Sequence, residues 1–287
     1  LILLLMIFAL AYVIYDNRSM FAMTSDGKTI YSIESGKNSV FTKLDGRFLV
    51  LDRDGISAIN PAGGHAYNII KNNSNPAMSI AGKYILLYDR GGRDISAYKN
   101  GSKVMEYKTE QVIKTAKINR KGYTAVVTEA TGYKAKIDVI DQQGQLVYMW
   151  ELGESYVIDV DISPDCKKIV AATLSTENNS VNGNIVFADI DSEKVINSTK
   201  RENSIILSVK YLDSSNVIAV GETELLGFDR KGTNFWSVNY DGKLLQSFHI
   251  DDSGNPVLAM SGTRNNTILQ MFNNSGKKTG EYVSDYK

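Results

Sequence analysis

Two histidines, one cysteine and one dense group of carboxylates are the places where this chain could do chemistry. His65 and His249 stand 184 residues apart, so only folding could pair them. Neither has Cys, His or Glu nearby at metal-ligand spacing, and an ordinary strand or turn histidine is the favoured reading for both. Asp159, Asp161 and Asp165 place three carboxylates within seven residues. In a strand, Asp159 and Asp161 share a side, an arrangement that could hold a divalent cation. No glycine-rich calcium loop accompanies them, which favours a strand edge held by turn hydrogen bonds. Cys166 precedes Lys167 and Lys168, whose charges could lower its pKa. No His or Asn partner is local, so a turn residue standing where glycine is usual is the simpler account. Trp150, Trp236 and the 16 tyrosines could line a sugar- or peptide-binding face, or pack inside the fold. No G-x-S-x-G elbow, G-x-G-x-x-G turn or P-loop occurs. No catalytic, cofactor or metal residues are therefore assigned.

Composition narrows the setting. Of 287 residues, 43% are hydrophobic, enough for a packed core. The 32 basic and 32 acidic residues cancel, leaving no basic footprint for nucleic acid. A single cysteine excludes a disulfide framework and a multi-cysteine metal site. Length alone suggests two domains.

Residues 1–15, LILLLMIFALAYVIY, carry no charge. As a helix they would span about 22 Å, against roughly 30 Å of hydrocarbon core. The run is apolar all round, with Leu3, Leu4, Leu5, Ile7, Phe8, Leu10, Val13 and Ile14 as its bulk. It predicts a single transmembrane anchor, cut short at its start. Ala9-Leu10-Ala11 has the form of a signal-cleavage site, but the apolar run continues past it, which favours an uncleaved anchor. The flank Asp16-Asn17-Arg18 is neutral and gives no reason to hold the following domain in the cytosol, so that domain is expected outside.

Beyond the anchor, short runs of Val, Ile, Tyr, Phe and Thr alternate with Gly, Asn, Asp and Ser, the signature of β-hairpins. Two series of turns recur. The first is centred on Gly46, Gly82, Gly122, Cys166, Ser215 and Gly254, the second on Gly64, Gly101, Gly144, Ser192, Gly232 and Gly276. Each member of the second follows its partner by 17 to 26 residues, and both series drift together in spacing. That lockstep means a repeated four-strand unit of about 42 residues, the size of a β-propeller blade. A lone blade cannot bury both faces, so blades must stack around an axis. Within the fourth unit, Ile169-Val170-Ala171-Ala172 reads as a strand buried on both faces. Residues 175–183, STENNSVNG, read as a mobile loop insertion.

The motifs resemble known propeller blades. Ser163-Pro164-Asp165-Cys166-Lys167-Lys168 resembles the SPDGKK hairpin of TolB-like and WD-repeat-like propellers, with Cys166 in place of Gly. Gly144 with Trp150 and Gly232 with Trp236 resemble the PQQ-like repeat, although only the second pair keeps its spacing. The layout as a whole is most similar to an uncharacterised family of Gram-positive, membrane-anchored propellers. That resemblance implies a fold and no chemistry. The expected organisation is an anchor over 1–15, a stalk or a strand of a closing blade over 16–37, and a propeller over 38–287. Six repeats are visible, and a seventh blade, with missing C-terminal strands, is favoured over a six-bladed ring. The expected role is non-enzymatic: a membrane-tethered, extracytoplasmic module that binds a protein or a cell-envelope polymer. The alternatives are a lactonase-, lyase- or quinoprotein-like enzyme with its site at the channel mouth, and a ligand sensor.

Overall fold

Alternating β-branched runs punctuated by turn residues can satisfy their backbone groups only by pairing with one another. In the computed structural model, which describes residues 39–192, 195–251, 253–262 and 266–284, they pair with their sequence neighbours throughout. Blade I holds β1 (Val40–Leu44), β2 (Arg47–Asp52), β3 (Gly55–Ile59) and β4 (His65–Ile70). Blade II holds β5 (Pro76–Ala81), β6 (Tyr84–Asp89), β7 (Asp94–Lys99) and β8 (Ser102–Lys108). Blade III holds β9 (Ile113–Ile118), β10 (Thr124–Ala130), β11 (Tyr133–Ile140) and β12 (Leu146–Leu152). Blade IV holds β13 (Tyr156–Ile162), β14 (Lys168–Glu177), β15 (Ser180–Asp189) and β16 (Val195–Arg201). Blade V holds β17 (Ile206–Tyr211), β18 (Asn216–Gly221), β19 (Glu224–Asp229) and β20 (Asn234–Asn239). Blade VI holds β21 (Leu245–Ile250), β22 (Pro256–Ser261), β23 (Thr267–Phe272) and β24 (Lys278–Ser284). The described chain is thus an all-β propeller of six four-stranded antiparallel meanders. The first strands of blades II to V pack against one another as an inner wall.

The two turn series fall on this plan in a regular way. The first lies between the first and second strands of each blade, the second between the third and fourth. Both therefore emerge at the same end of the ring. In blade I the left-handed position of the outer turn is held by Gly63, at φ 86°, and not by Gly64. Cys166 has φ 65°, the conformation that glycine usually supplies at such a turn.

Stacking explains the apolar runs. On β6, Ile85 and Leu87 join the core shared with blade I, while Leu86 and Tyr88 join the core shared with blade III. On β14, Ile169 and Ala171 face blade III, and Val170 and Ala172 face blade V. All four are fully buried. Five apolar clusters bridge the five consecutive blade pairs from I–II to V–VI. Among the described residues none bridges VI to I, and a cavity of about 970 Å³ opens on the channel side, lined by the inner strands of blades I and VI together with Met78 and Ile80 of blade II and Lys210 of blade V.

The irregular alternation at Val157-Ile158 is a bulge in the inner strand of blade IV. Blades V and VI carry a bulge in the same strand, at Ile206/Ser208 and Leu245/Ser247. Residues 175–183 are not a loop. They extend a continuous ladder from Lys168↔Asp189 to Glu177↔Ser180, closed by Asn178 and Asn179 at φ 50° and 64°. Two left-handed residues are what a tight hairpin turn requires, and asparagine tolerates that conformation, so polar composition was a poor guide here. The expected anchor over 1–15 and the stalk or strand over 16–37 lie outside the described residues. Among the described residues, no helix is long and apolar enough to cross a membrane.

Candidate functional site

The inner wall brings ionisable groups together that the sequence separates. Lys117 on β9 reaches the neighbouring inner strand, where its Nζ lies 2.6 Å from Oδ2 of Asp159 on β13. The same ammonium donates to the Val209 carbonyl on β17 at 3.0 Å. Asp159 Oδ2 also accepts the Ser208 hydroxyl at 2.7 Å and the Val209 amide at 3.0 Å. Two residues along, Asp161 Oδ2 accepts the Tyr211 amide at 2.7 Å. Lys210 then donates to the Ile250 and Asp251 carbonyls, at 3.1 and 2.8 Å, tying blade V to blade VI. Strand alternation makes this possible, because Asp159 and Asp161 face the same neighbour and meet the bare backbone edge of β17.

Asp161 lines a cavity of about 430 Å³ at the turn end of the channel, together with Lys117, Arg120 and Lys210. Burial pushes its carboxyl up to about 6, against the opposing pull of the Lys117 ammonium and the Tyr211 amide. Burial would by itself lower the Lys117 pKa, but Asp159 and Asp161 outweigh it and hold the pKa above the usual lysine value. The site is a cation between two carboxylates, and three donors occupy Asp159 Oδ2. Its evident work is to join blades III, IV and V. Asp161 is the carboxylate that also faces the cavity.

The remaining sequence candidates separate. Asp165 stays in its turn, accepting from the Ser163 hydroxyl at 2.5 Å and the Lys167 amide at 3.2 Å. His65 begins the outer strand of blade I, and His249 sits on the inner strand of blade VI, lining the larger cavity. Neither belongs to the Asp159–Asp161 wall. Burial pushes the Cys166 thiol up, so the adjacent lysines do not set its pKa. Asn119 Nδ2 lies 3.1 Å from its sulfur and also donates to the Ser163 carbonyl, which joins the inner turns of blades III and IV. Trp150 packs against the core between blades III and IV, and Trp236 against the core between blades V and VI. Among the described residues, no group of three or more His, Cys, Asp or Glu could hold a metal ion.

Lys117, Asn119, Ser208 and Lys210 went unnoticed in the sequence. Lys117 carries no signal that separates it from Lys114 on the same strand, and only the ring reveals its partners.

The architecture has counterparts among solved structures. Chaetomium thermophilum Sqt1, bound to the N-terminus of the ribosomal protein L10, is 11% identical with a TM-score of 0.56, over 74% of this chain and 65% of that one. The WD40 domain of Neurospora crassa Pan2 is 15% identical with a TM-score of 0.54, over 86% of this chain and 75% of that one. The computationally designed Ika8 protein is 11% identical with a TM-score of 0.56, over 89% and 90%. At such identities the likeness is one of fold alone. No curated protein matches the chain. A family model does match, over residues 16–287, and the chain belongs to that family, the family of unknown function DUF5711.

Proposed function

We propose that this protein is a binding scaffold that holds a protein or cell-envelope partner on the turn end of its propeller. The observation that carries this reading is the use of the channel charges. Lys117, Asp159 and Lys210 spend their hydrogen bonds on blade-to-blade ties, which leaves a rigid ring presenting clustered turns around a small polar cavity. Rigid elements that carry exposed loops suit recognition. One fold neighbour, Sqt1, was captured holding a protein N-terminus, which gives a precedent for the architecture.

The finer parts of the reading rest on the sequence. The apolar run over residues 1–15 supports a single-pass anchor, and the neutral flank after it supports an extracytoplasmic ring. The likeness to Gram-positive membrane-anchored propellers belongs here, as do the TolB-like hairpin at Ser163–Lys168 and the PQQ-like pair Gly232 and Trp236. So does a seventh blade that draws on the stretch before β1. Tethering would raise the local concentration of partner and scaffold at the membrane.

The test is capture from detergent-solubilised membranes with the intact protein and with an Arg120→Glu/Lys121→Glu variant of the turn end. The intact protein is expected to return a reproducible partner, and the variant to lose about tenfold in yield, near 1.4 kcal/mol of binding. Equal yield from both places the binding face elsewhere. Protease digestion on intact cells should remove the ring, and protection would reverse its orientation.

An enzyme with its site at the channel mouth has one observation in its favour, the Asp161 carboxyl near 6 beside Lys117 in a cavity. Conversion of a lactone or glycoside panel that Asp161→Asn abolishes would establish it.

A further inference from the structure

Blade IV outgrows its neighbours at the end of the ring opposite the two turn series. β14 and β15 have ten residues each, against six or seven in the second strands of blades I, II, III and V. The inner strand stops pairing with β14 at Leu174, and the outer strand stops pairing with β15 at Gly183. Residues 175–182 therefore project as a bare two-stranded rib. They add little to the core, since residues 176–179 and Val181 are exposed. The ladder nonetheless fixes where each side chain points, which a loop would not do.

Alternation sets the face. Ile169 and Ala171 join the core shared with blade III, so Thr173, Ser175 and Glu177 continue on the same side. Asn184 lies opposite Thr173, and Lys200 lies opposite Asn184. The apolar interface between blades III and IV thus turns polar as it leaves the core, and there it opens into a groove of about 450 Å³. One wall holds Ser175, Glu177, Asn184 and Lys200. The other holds Trp150 and residues 151–155, which lead from β12 to β13. Asn184 Nδ2 donates to the Ser175 hydroxyl at 3.4 Å, and Lys200 pairs with Glu177 at 2.6 Å. Trp150 is half-buried, packing against the core while also lining the groove.

The lining selects a ligand by its chemistry. A space of this volume suits a small ligand. Hydroxyl, amide, carboxylate and ammonium groups stand along one wall, and each hydroxyl of a saccharide needs both a donor and an acceptor. The indole on the other wall offers an apolar surface to the C–H face of a sugar ring. Glu151, Glu154 and Glu177 outnumber Lys200, which opposes phosphate- or carboxylate-bearing polymers. A peptide strand would ask for apolar pockets or an open backbone ladder, and the wall presents polar side chains instead.

We propose that this groove binds a neutral oligosaccharide, with Trp150 as its platform and Ser175, Glu177, Asn184 and Lys200 as its hydrogen-bonding wall. The site lies at the opposite end of the ring from the turn cavity, so it does not rest on the capture of a partner there.

Fluorescence titration of the full chain tests it, in a detergent without sugar headgroups. In a Trp236→Phe background, Trp150 is the remaining tryptophan. The probes are neutral tetrasaccharides of glucose, mannose, galactose and N-acetylglucosamine, with inorganic phosphate and tetra-alanine as controls. At least one saccharide is expected to change the Trp150 emission saturably, with half-saturation at or below about 1 mM. Glu177→Gln and Asn184→Ala should each weaken that response roughly three- to tenfold. The Glu177 side chain is 61% exposed, so its substitution leaves the fold intact. Arg120→Glu/Lys121→Glu at the turn end should leave the response unchanged. The absence of any saccharide response overturns the proposal, as does a response to phosphate or tetra-alanine alone. Saccharide binding that Glu177→Gln and Asn184→Ala leave unchanged, or that the turn-end variant abolishes, places the site elsewhere and overturns it as well.

Discussion

Asp161 shows how one side chain can report on the channel. Its carboxyl sits at about 6 in the folded protein, above the ordinary carboxylate value. A raised carboxyl pKa means that the folded state binds the proton more tightly. The associated stability is present below the ordinary value, near 4, and is lost as pH rises through about 6. Asp161→Asn should remove this dependence. The wild-type Tm should fall relative to that of the variant between pH 4 and 7, and parallel profiles would refute the assignment. Lys117→Met should shift the same titration upward by removing the opposing charge, and should cost about 3–5 kcal/mol by leaving two carboxylates without their cation. Tyr240 makes the opposite case. Its hydroxyl is buried with no hydrogen-bond partner among the described residues, and burial raises its pKa. Tyr240→Phe should therefore stabilise the ring by about 1 kcal/mol in a denaturant titration.

At the scale of the elements, turns and outer strands act as one device. Gly276 has φ 78° and lies under the ring of Trp236. Gly276→Ala meets two obstacles, a left-handed backbone worth about 1–2 kcal/mol against any side chain and a Cβ 2.5 Å from the indole. The steric part should vanish in a Trp236→Ala background while the backbone part remains. A double-mutant cycle on urea midpoints should therefore show a coupling of about 1 kcal/mol or more, and strict additivity would deny the contact. The hairpin of β14 and β15 depends on its turn in the same local way. Asn179→Val puts a β-branched residue at φ 64° and should fray the end of that ladder, seen as faster amide exchange at Thr176 and Val181.

Over the whole molecule, stability is a sum over blade interfaces. Each of blades II to V is covered on both faces by apolar clusters, whereas blades I and VI each share a cluster with one neighbour among the described residues, and the V–VI cluster has the fewest buried members. Such an arrangement should open from its less covered end. Native-state hydrogen exchange is expected to show β21 to β24 opening at a lower free energy than β10, β14 and β18, whose protection should follow global unfolding. Uniform protection across the six blades would mean that the ring opens as one unit.

The sequence by itself determined what depends on local pattern. Two turn series in lockstep fixed the four-strand unit, because strand alternation and turn chemistry are read from neighbouring residues. The doubly buried run at Ile169–Ala172 and the irregularity at Ile158 were visible for the same reason. Residues 175–183 were misread because a hairpin closed by two asparagines and a polar loop share a composition and differ only in φ. What tertiary structure alone decided was which side chains meet across blades. Lys117 stands 42 residues from Asp159 and 92 from Val209, and no spacing rule connects them. Their contact exists because three inner strands converge on one axis. The covering of Gly276 by Trp236 of the preceding blade is likewise a product of stacking.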